Sequence, residues 1–460
     1  MRLFALLRCA VFSYAVLVTL AILAILVEEA RAELPDRYPL AADLVSFEAP
    51  STPVATVEPE LDEPTGEIAL ADALALALLR SPELAVDSYE QRAREAALLQ
   101  AGVRPNPTLS LGVEDIAGTG DRQSLGDAQT TLILSQVVEL GGKRAARVSL
   151  ARADVDVAAW DYEIQRIQLF SRVSDAFVDV LAAQRRLSLA DDALTIAREV
   201  KSVATRRMQA GMASPAEELR AGVSVDISST LREHTQHELK AARQALAALW
   251  AGTPLFTRAQ GDLMKVPEPP NADDLTRRIE ASPNVARWQA EVARREAMRK
   301  LARSSRTPNL EVNGGPRHLA ASGGEKGDMS FVVGVSVPLP FWDRKEGAIA
   351  EAEQRFAQVA AERKAELVRV TTAIQAAQLG LVAAVEEAKV LRERVLPGIE
   401  RTLEILQRGY EEGRFAQVEV LEAEKARVEA REQELRSLVE AHQSAREIER
   451  LTGVPLEVRQ

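Results

Sequence analysis

The chain has 460 residues and a formal net charge of −11, and aromatic residues make up only 4% of it. An acidic chain with mixed-sign charges spread along helices does not favour nucleic-acid binding, and few aromatic residues favour long helices over large globular cores. The single cysteine, Cys9, lies in the N-terminal segment considered next. Disulfides and thiolate metal sites are therefore not expected in the rest of the chain.

The N-terminus has the pattern of an export signal. Arg2 and Arg8 precede a long apolar run, and the Ala-Arg-Ala sequence at 30–32 resembles a cleavage site. Residues 1–32 are predicted to be a signal peptide, with an uncleaved membrane anchor as the alternative. The acidic, proline-rich residues 33–66 are predicted to form an extended arm.

Two copies of one unit follow the arm. The motif SPELAV at Ser81 recurs as SPNVAR at Ser282, and strand-like segments around Pro107 and Pro308 stand at the same offset. Each copy reads as helix, strand, turn, strand, long helix, turn and long helix. The predicted boundaries are 67–256 for the first structural repeat, 257–456 for the second and 457–460 for a C-terminal tail.

Each repeat contains two strands in which apolar and polar residues alternate. In the first, Leu109, Leu111 and Val113 alternate with Ser110 and Gly112. Strands of roughly 10 residues are long enough to cross a bilayer when tilted. A soluble four-stranded sheet packed on helices is the alternative. The predicted strands cover about 108–116, 129–138, 309–314 and 329–338.

Long helices follow each hairpin and meet in pairs at a glycine, Gly211 or Gly413. Such helices bury only a narrow stripe, and four strands cannot close a barrel, which needs about eight. The chain is therefore predicted to be mainly α with a membrane β-barrel portion. Three copies supply a 12-stranded β-barrel continued by an α-helical barrel. The predicted long helices cover about 143–208, 215–251, 346–410 and 415–452.

Three stretches carry a resemblance to a known family. LSQVVELGGKRAAR from Leu134 and VSVPLPFWDRKEGAIAEAE from Val335 resemble the heavy-metal, CzcC-like branch of TolC-type outer membrane efflux proteins. RGYEEGRFAQVEVLEAE from Arg408 resembles the family's second periplasmic helical turn. The resemblance runs from about Ile68 to Pro455.

This resemblance implies a homotrimeric channel-tunnel in the bacterial outer membrane that extends into the periplasm. It also implies two partners, a periplasmic adaptor protein and an inner-membrane RND pump. The expected function is a passive exit duct for heavy-metal cations. Export of drugs or organic compounds is the first alternative, and a periplasmic coiled-coil scaffold that forms no channel is the second.

By the same resemblance, the carboxylates of the periplasmic aperture correspond to Glu419 and Glu422, which share a helix face at i,i+3. Contacts that close the aperture are expected among Glu217, Tyr410 and Arg414. Like charges held close at a pore entrance attract cations. Ordinary solvated helix charges are the alternative for each of these residues.

The ends of the strands and helices are further candidate sites. Gly211 and Gly413 mark the helical turns expected to contact the adaptor. Residues at the strand-to-helix transitions are expected to lie at the membrane rim, beside outer membrane lipid. These rim residues are Gly141, Gly142, Lys143, Arg144, Pro338, Pro340, Trp342 and Arg344.

The remaining residues do not indicate an enzyme, a metal site or a cofactor. His234 and His237 share a helix face, but two ligands without a nearby acidic third are a weak signal, and we interpret them as solvated. The Gly-Gly-Lys segment lacks the residue pattern of a phosphate-binding loop. No Gly-x-Ser-x-Gly elbow is present.

Overall fold

The structure, a computed structural model, describes residues 63–116, 128–280, 282–320 and 327–456. The predicted signal peptide, residues 33–62 of the arm and the tail lie outside the described residues. The strands are β1 (Gly66–Ala69), β2 (Thr108–Glu114), β3 (Gln129–Val138), β4 (Phe256–Gln260), β5 (Leu310–Leu319) and β6 (Asp328–Ser336). The α-helices are α1 (Leu70–Arg80), α2 (Pro82–Gly102), α3 (Lys143–Gln209), α4 (Pro215–Ala248), α5 (Ala272–Glu280), α6 (Pro283–Ser304), α7 (Glu346–Val390), α8 (Leu396–Glu411) and α9 (Gln417–Thr452).

The chain forms two compact units, and its long helices contribute residues to both. The first unit comprises the described residues of Glu90–Ala159 and Trp288–Glu362. The second comprises those of Pro50–Tyr89, Trp160–Arg287 and Arg363–Gln460.

The first unit contains a four-stranded antiparallel sheet in the order β2-β3-β5-β6. Strand β5 is longer than predicted: the strand was expected to end at Gly314, but Gly315 and Pro316 also pair with β6. Pro316 has no backbone N–H, and the ladder to β3 is interrupted there while its register is kept on both sides. Pairing on two sides thus holds a segment whose composition alone favours a turn.

The second unit contains a short parallel pair, β1 with β4, that the sequence did not predict. Its centre is apolar: Ile68, Trp250 and Phe256 are almost completely buried, and the two aromatic rings lie 6.5 Å apart. Thr257 Oγ1 also donates a hydrogen bond to the Gly66 carbonyl, at 3.0 Å. The predicted extended arm therefore ends earlier than expected, at a strand.

The leading helix of each repeat is split in two. One helix per repeat was predicted, but α1 ends before Pro82 and α5 before Pro283. The residue before a proline is driven out of the helical region, and proline itself is well placed in a first helical turn. In the second unit the buried Ser282 hydroxyl donates to the Leu451 carbonyl at 2.5 Å, which ties this break to the end of α9.

The longest helix, α3, has 67 residues, which corresponds to a length of about 100 Å. The helix predicted over 346–410 is interrupted by a π-helical turn of five residues, Leu391–Val395, just before α8. Among the described residues, one helical stretch within Glu346–Glu411 has the length and composition of a membrane span. Only 22% of that stretch is buried. Val370, Ile374 and Leu381 of α7 lie in the core of the second unit, whereas Leu379 is 71% exposed.

Candidate functional site

The strand register gives the sheet of the first unit one apolar and one polar face. Leu111 pairs with Leu132, and Val312 pairs with Val335, so their side chains share a face. This face is exposed in the single chain, and Val333 retains 70% of its accessible surface. The apolar residues of this face are Leu109, Leu111, Val113, Leu132, Leu134, Val138, Leu310, Val312, Met329, Phe331, Val333 and Val335. Thr130, Gln136 and His318 lie on the same face, toward its two ends. The opposite face carries Ser110, Glu114, Gln129, Thr131, Ser135, Glu311, Asn313, Arg317, Asp328 and Ser330 among others.

Two edges of this sheet are open. Strands β2 and β6 each pair on one side only within the described residues. Every residue of β2 is exposed, and so are most residues of β6. An open strand edge presents backbone donors and acceptors that another strand can satisfy.

The first strand-to-helix transition is built from two glycines and a set of internal contacts. Gly141 and Gly142 have φ of 73° and 71°, and a Cβ on Gly141 would lie 2.7 Å from Thr307. Lys143 donates a hydrogen bond from Nζ to Asn309 Oδ1. Lys143 is thus half-buried and bonded, although it was expected to need lipid headgroups to balance its charge.

The charge of Arg147, in the first turns of α3, is balanced by contacts within the chain. Its guanidinium donates to both carboxylate oxygens of Glu139, at 2.6 and 3.0 Å, and to the carbonyls of Ala101 and Val103. Hydrogen bonding to Arg147 holds the pKa of Glu139 below its usual value, with Lys143 and Arg144 contributing in the same direction. The acidic residue before the glycines therefore neutralises the basic helix start.

The second transition differs from the first, although the repeat predicts an equivalent. Pro338 and Pro340 precede an edge-to-face pair of rings, Phe341 and Trp342, with centroids 6.2 Å apart. Trp342 retains 96% of its accessible surface, and Arg344 is also exposed. Lys345, at φ 61°, occupies the left-handed conformation here and pairs with Asp343 at 2.5 Å. This transition presents an apolar, then basic, surface.

In the second unit, each long helical hairpin turns at the predicted glycine. Gly211 and Gly413 have φ of 72° and 80°, a conformation that glycine adopts without steric cost. In the second turn the Phe415 ring packs on Gly409, where a Cβ would lie 2.1 Å from the ring. The conformation of this turn thus depends on two glycines, one for its φ and one for close packing.

The two predicted aperture carboxylates are both exposed at the start of α9. Glu419 also has a local role, because its Oε2 accepts a hydrogen bond of 2.8 Å from the Ala416 N–H. This contact satisfies a backbone donor at the helix N-terminus. Glu422 lies one turn further along α9.

The predicted gate residues are only partly brought together. Tyr410 is 3% exposed, and its hydroxyl makes no hydrogen bond among the described residues. Burial raises the pKa of Tyr410, and the negative charge of Glu217 raises it further. Arg414 is instead exposed and pairs with Glu412 at 3.0 Å. In this chain the predicted contact of Arg414 with Glu217 and Tyr410 is replaced by a short-range surface pair.

Arg207, which the sequence did not single out, makes the contact with Tyr410 that was expected of Arg414. Its guanidinium lies over the Tyr410 ring, 4.7 Å from the centroid, and donates to the Tyr410 carbonyl. Arg207 belongs to α3 and Tyr410 to α8, so this side chain joins the two helical hairpins. Its position four residues before Gly211 was the one available sequence signal.

The histidines do not assemble a metal site in the described part of the chain. His234 Nε2 lies 3.3 Å from Glu238 Oε1, so an acidic neighbour is present that the sequence interpretation had omitted. His442 is buried, and its Nε2 contacts the Leu263 carbonyl at 3.0 Å. Within the described residues, no cluster of three or more potential ligands was found.

Comparisons with known proteins agree on one family. The family model described as "Outer membrane efflux protein" matches residues 73–252 and again 276–454. The chain is 33% identical to the "Cobalt-zinc-cadmium resistance protein CzcC" of Cupriavidus metallidurans, over 85% of this chain and 91% of that protein. It is 25% identical to the "Nickel-cobalt-cadmium resistance protein NccC" of Alcaligenes xylosoxydans, over 66% and 69% of the two chains. A crystal structure of CusC, from work on transmembrane channel formation, superposes with a TM-score of 0.70 at 15% identity and covers 89% of this chain and 99% of that one.

Proposed function

The chain belongs to the outer membrane efflux protein family, and from this premise we propose that three copies form an outer membrane channel-tunnel through which heavy-metal cations leave the cell. The resemblance that the sequence predicted is thereby confirmed at the level of the family and its outer membrane location. The trimer, the partners and the substrate are the proposal.

The observation that carries the proposal is the two-faced sheet with its open edges. An exposed apolar face of some twelve side chains has no reason to exist in water, but it matches the hydrocarbon region of a bilayer. Four strands do not close, whereas three such sheets joined β2 to β6 supply twelve strands without a free edge. The same exposed face argues against a periplasmic scaffold, which would have no use for it.

The strand-to-helix transitions fit the periplasmic rim of such a barrel. Trp342 and Phe341 continue the apolar face beyond β6, and aromatic residues of this kind favour the membrane interface. The exposed Arg344 next to them is placed to meet anionic headgroups. The first transition contributes less to lipid contact, because Lys143 is already bonded within the chain.

The helical turns are proposed to form the periplasmic end and to contact the adaptor of an RND pump. With threefold symmetry, Glu419 and Glu422 would form two acidic rings that concentrate cations. Arg207 on Tyr410, with Glu217 nearby, would hold the resting aperture closed. Arg414 is not part of this proposal.

The substrate class comes from the relatives. The proteins named for cobalt, zinc, cadmium and nickel resistance include the chain's 33%-identical relative, which is matched over nearly its whole length. A passive duct needs no metal-binding cluster of its own, since transport energy and most substrate choice reside in the pump. The histidines described above carry no part of the proposal.

The experiment that tests the proposal combines oligomeric mass with planar-bilayer conductance of the purified protein. A trimer with cation-selective currents that lose selectivity in Glu419→Gln/Glu422→Gln supports the channel and its acidic entrance. Glutamine keeps an acceptor for the Ala416 N–H, so the helix start is preserved. If the protein neither forms a trimer nor inserts into the bilayer, the channel proposal is wrong and the periplasmic scaffold is the better interpretation.

Substrate is tested separately, in a host whose own metal-efflux channel has been deleted while its pump and adaptor remain. Growth restored in cobalt, zinc or cadmium supports metal export. Restored growth in organic toxicants alone would replace metals with organic compounds as the substrate.

A further inference from the structure

One positively charged side chain lies on the polar face of the sheet, in the row next to the end row that carries Glu114 and Asp328. Arg317 of β5 pairs with Thr131 of β3 and with Ser330 of β6, and Thr131 in turn pairs with Gly112 of β2. The four residues form one row across the sheet, and apart from Arg317 they are small and uncharged. The other charged residues of this face stand in its end rows: Glu114 and Asp328 next to the hairpin turns, and Glu311 at the helical end.

The guanidinium of Arg317 is positioned but not neutralised. Its Nε donates a hydrogen bond of 3.1 Å to Oγ1 of Thr131, which is itself buried. In the described part of the chain it forms no ion pair with a carboxylate. Gly112, in the same row, has open space where a Cβ would be. Donors of a fixed, planar cation therefore remain available on this face.

We propose that Arg317 forms a positively charged ring inside the strand barrel that attracts and transiently binds small anions. This inference rests on the proposed trimeric channel. A charged side chain at membrane depth must face water or protein, and on the polar face it faces the lumen. Three copies in one row supply three guanidinium groups, none of them held in an ion pair within the described part of its own chain although Glu114 and Asp328 stand one row away. Their charge is opposite in sign to that of the acidic rings proposed at the helical turns.

The local potential can be measured with a thiol placed beside Arg317. Cys9 is the chain's single cysteine and lies in the predicted signal peptide, so Ser330→Cys introduces the one thiol of the processed protein. The protein is reconstituted in lipid nanodiscs and treated with an anionic or a cationic methanethiosulfonate reagent. The ratio of the two reaction rates reports the sign of the potential at that position.

With Arg317 present, we expect the anionic reagent to be favoured. Arg317→Gln should lower the anionic-to-cationic rate ratio about three- to tenfold at 0.01 M salt, where the screening length is about 30 Å. The difference should vanish at 1 M salt, where that length is about 3 Å. Arg317→Lys keeps the charge and should keep the ratio.

Val333→Cys is the matched control. Val333 lies on the apolar face, three residues further along β6 than Ser330, and lipid should keep its thiol from reacting. If Ser330→Cys reacts but its anionic-to-cationic rate ratio is the same with Arg317 as with Arg317→Gln, the anion ring is wrong and the proposed channel is unaffected. Equal reactivity of the two positions, or reaction at Val333→Cys alone, would contradict the assignment of the faces. That result would contradict both the proposed membrane barrel and the inference.

Discussion

Arg207 and Tyr410 stand 203 positions apart in the chain, yet the guanidinium of one lies 4.7 Å from the ring centroid of the other. The contact joins the end of α3 to the end of α8, at the two turns where the helical hairpins reverse. Tyr410 is also part of a small buried cluster with Val200, Leu403 and Val420. A single arginine therefore links the turn of the first hairpin to the packed end of the second.

If this link holds the aperture closed, Arg207→Ala should raise the single-channel conductance or the open probability. A cation–π contact of about 1 kcal/mol corresponds to roughly a fivefold change in an open–closed equilibrium. Arg207→Lys keeps the charge without the planar fork and should give an intermediate value. Arg414→Ala is the control: its exposed pair with Glu412 contributes about 0–1 kcal/mol, and the closed state should not change. If Arg414→Ala raises the conductance or open probability and Arg207→Ala does not, the gate contacts predicted from the sequence are correct and the Arg207 link is not the gate.

The second turn offers a test with a matched pair of glycines in one helix. A Cβ on Gly409 would lie 2.1 Å from the Phe415 ring, whereas one on Gly398 would meet nothing within 4 Å. Gly409→Ala should therefore destabilise the turn by about 1–3 kcal/mol through overpacking. Gly398→Ala should be neutral or stabilising by up to about 1 kcal/mol, because alanine favours the helix.

Hydrogen exchange of the turn amides measures this pair of variants. Exchange at Glu412–Phe415 should accelerate in Gly409→Ala and stay at the wild-type rate in Gly398→Ala. Equal protection in both variants would show that Phe415 moves aside without cost, and the close packing would then have no energetic role.

Features that depend on local sequence were predicted well, whereas features that depend on contacts between distant residues were not. Alternation of Leu109, Leu111 and Val113 is a local signal, and the strand at Thr108–Glu114 agrees with it closely. The long helix at 143–208 follows from the absence of proline and glycine, and α3 ends one residue beyond it. Apart from its position four residues before Gly211, Arg207 carries no local signal of its contact with Tyr410, because that partner belongs to the other repeat. Strand β5 was predicted too short for the same reason, because its pairing with β6, and with β3 on either side of Pro316, outweighs the turn tendency of Gly314 and Pro316.

The start of α3 gives a prediction on pH. The pKa of Glu139 is lowered by its hydrogen bonds to Arg147, so its contribution to stability is full above the unfolded value of 4.5 and is lost as pH falls through the lowered folded pKa. Glu139→Gln should remove about 1 kcal/mol of local stability at pH 7 and flatten the acid dependence. Protection of the amides of Lys143–Arg147 against hydrogen exchange, measured from pH 7 down to pH 4, is the observable.

Glu351→Gln is the control for that experiment, since Glu351 lies on α7 in the same unit and makes only a long exposed pair with Arg355. Its exchange profile should overlay that of the wild type. A Glu139→Gln profile identical to the control would mean that the two carbonyl contacts of Arg147 hold the junction without the carboxylate.

A partly buried carboxyl between α3 and α9, that of Asp175, gives the opposite pH dependence, although its side chain retains 37% of its accessible surface. Burial raises the pKa of Asp175 to about 6, against the attraction of Arg446, which lies 3.9 Å away. An acid with a raised folded pKa binds its proton more tightly when folded, so its contribution to stability declines as pH rises from about 3.8 to above 6. Above that range the folded protein bears the cost of a desolvated charge. The asparagine variant has no such charge, and its stability should be independent of pH at this position.

Thermal unfolding of the detergent-solubilised protein tests this directly. Asp175→Asn should unfold at a higher temperature than the wild type at pH 7.5, and the two should converge at about pH 3, below the ordinary value of 3.8, where the wild-type carboxyl is protonated in both states. Glu440→Gln, an exposed change on α9, should run parallel to the wild type throughout. A lower unfolding temperature for Asp175→Asn at pH 7.5 would mean that the ion pair with Arg446 outweighs desolvation. In that case the half-buried Arg446 depends on Asp175, and the pair stabilises the contact between the two helices.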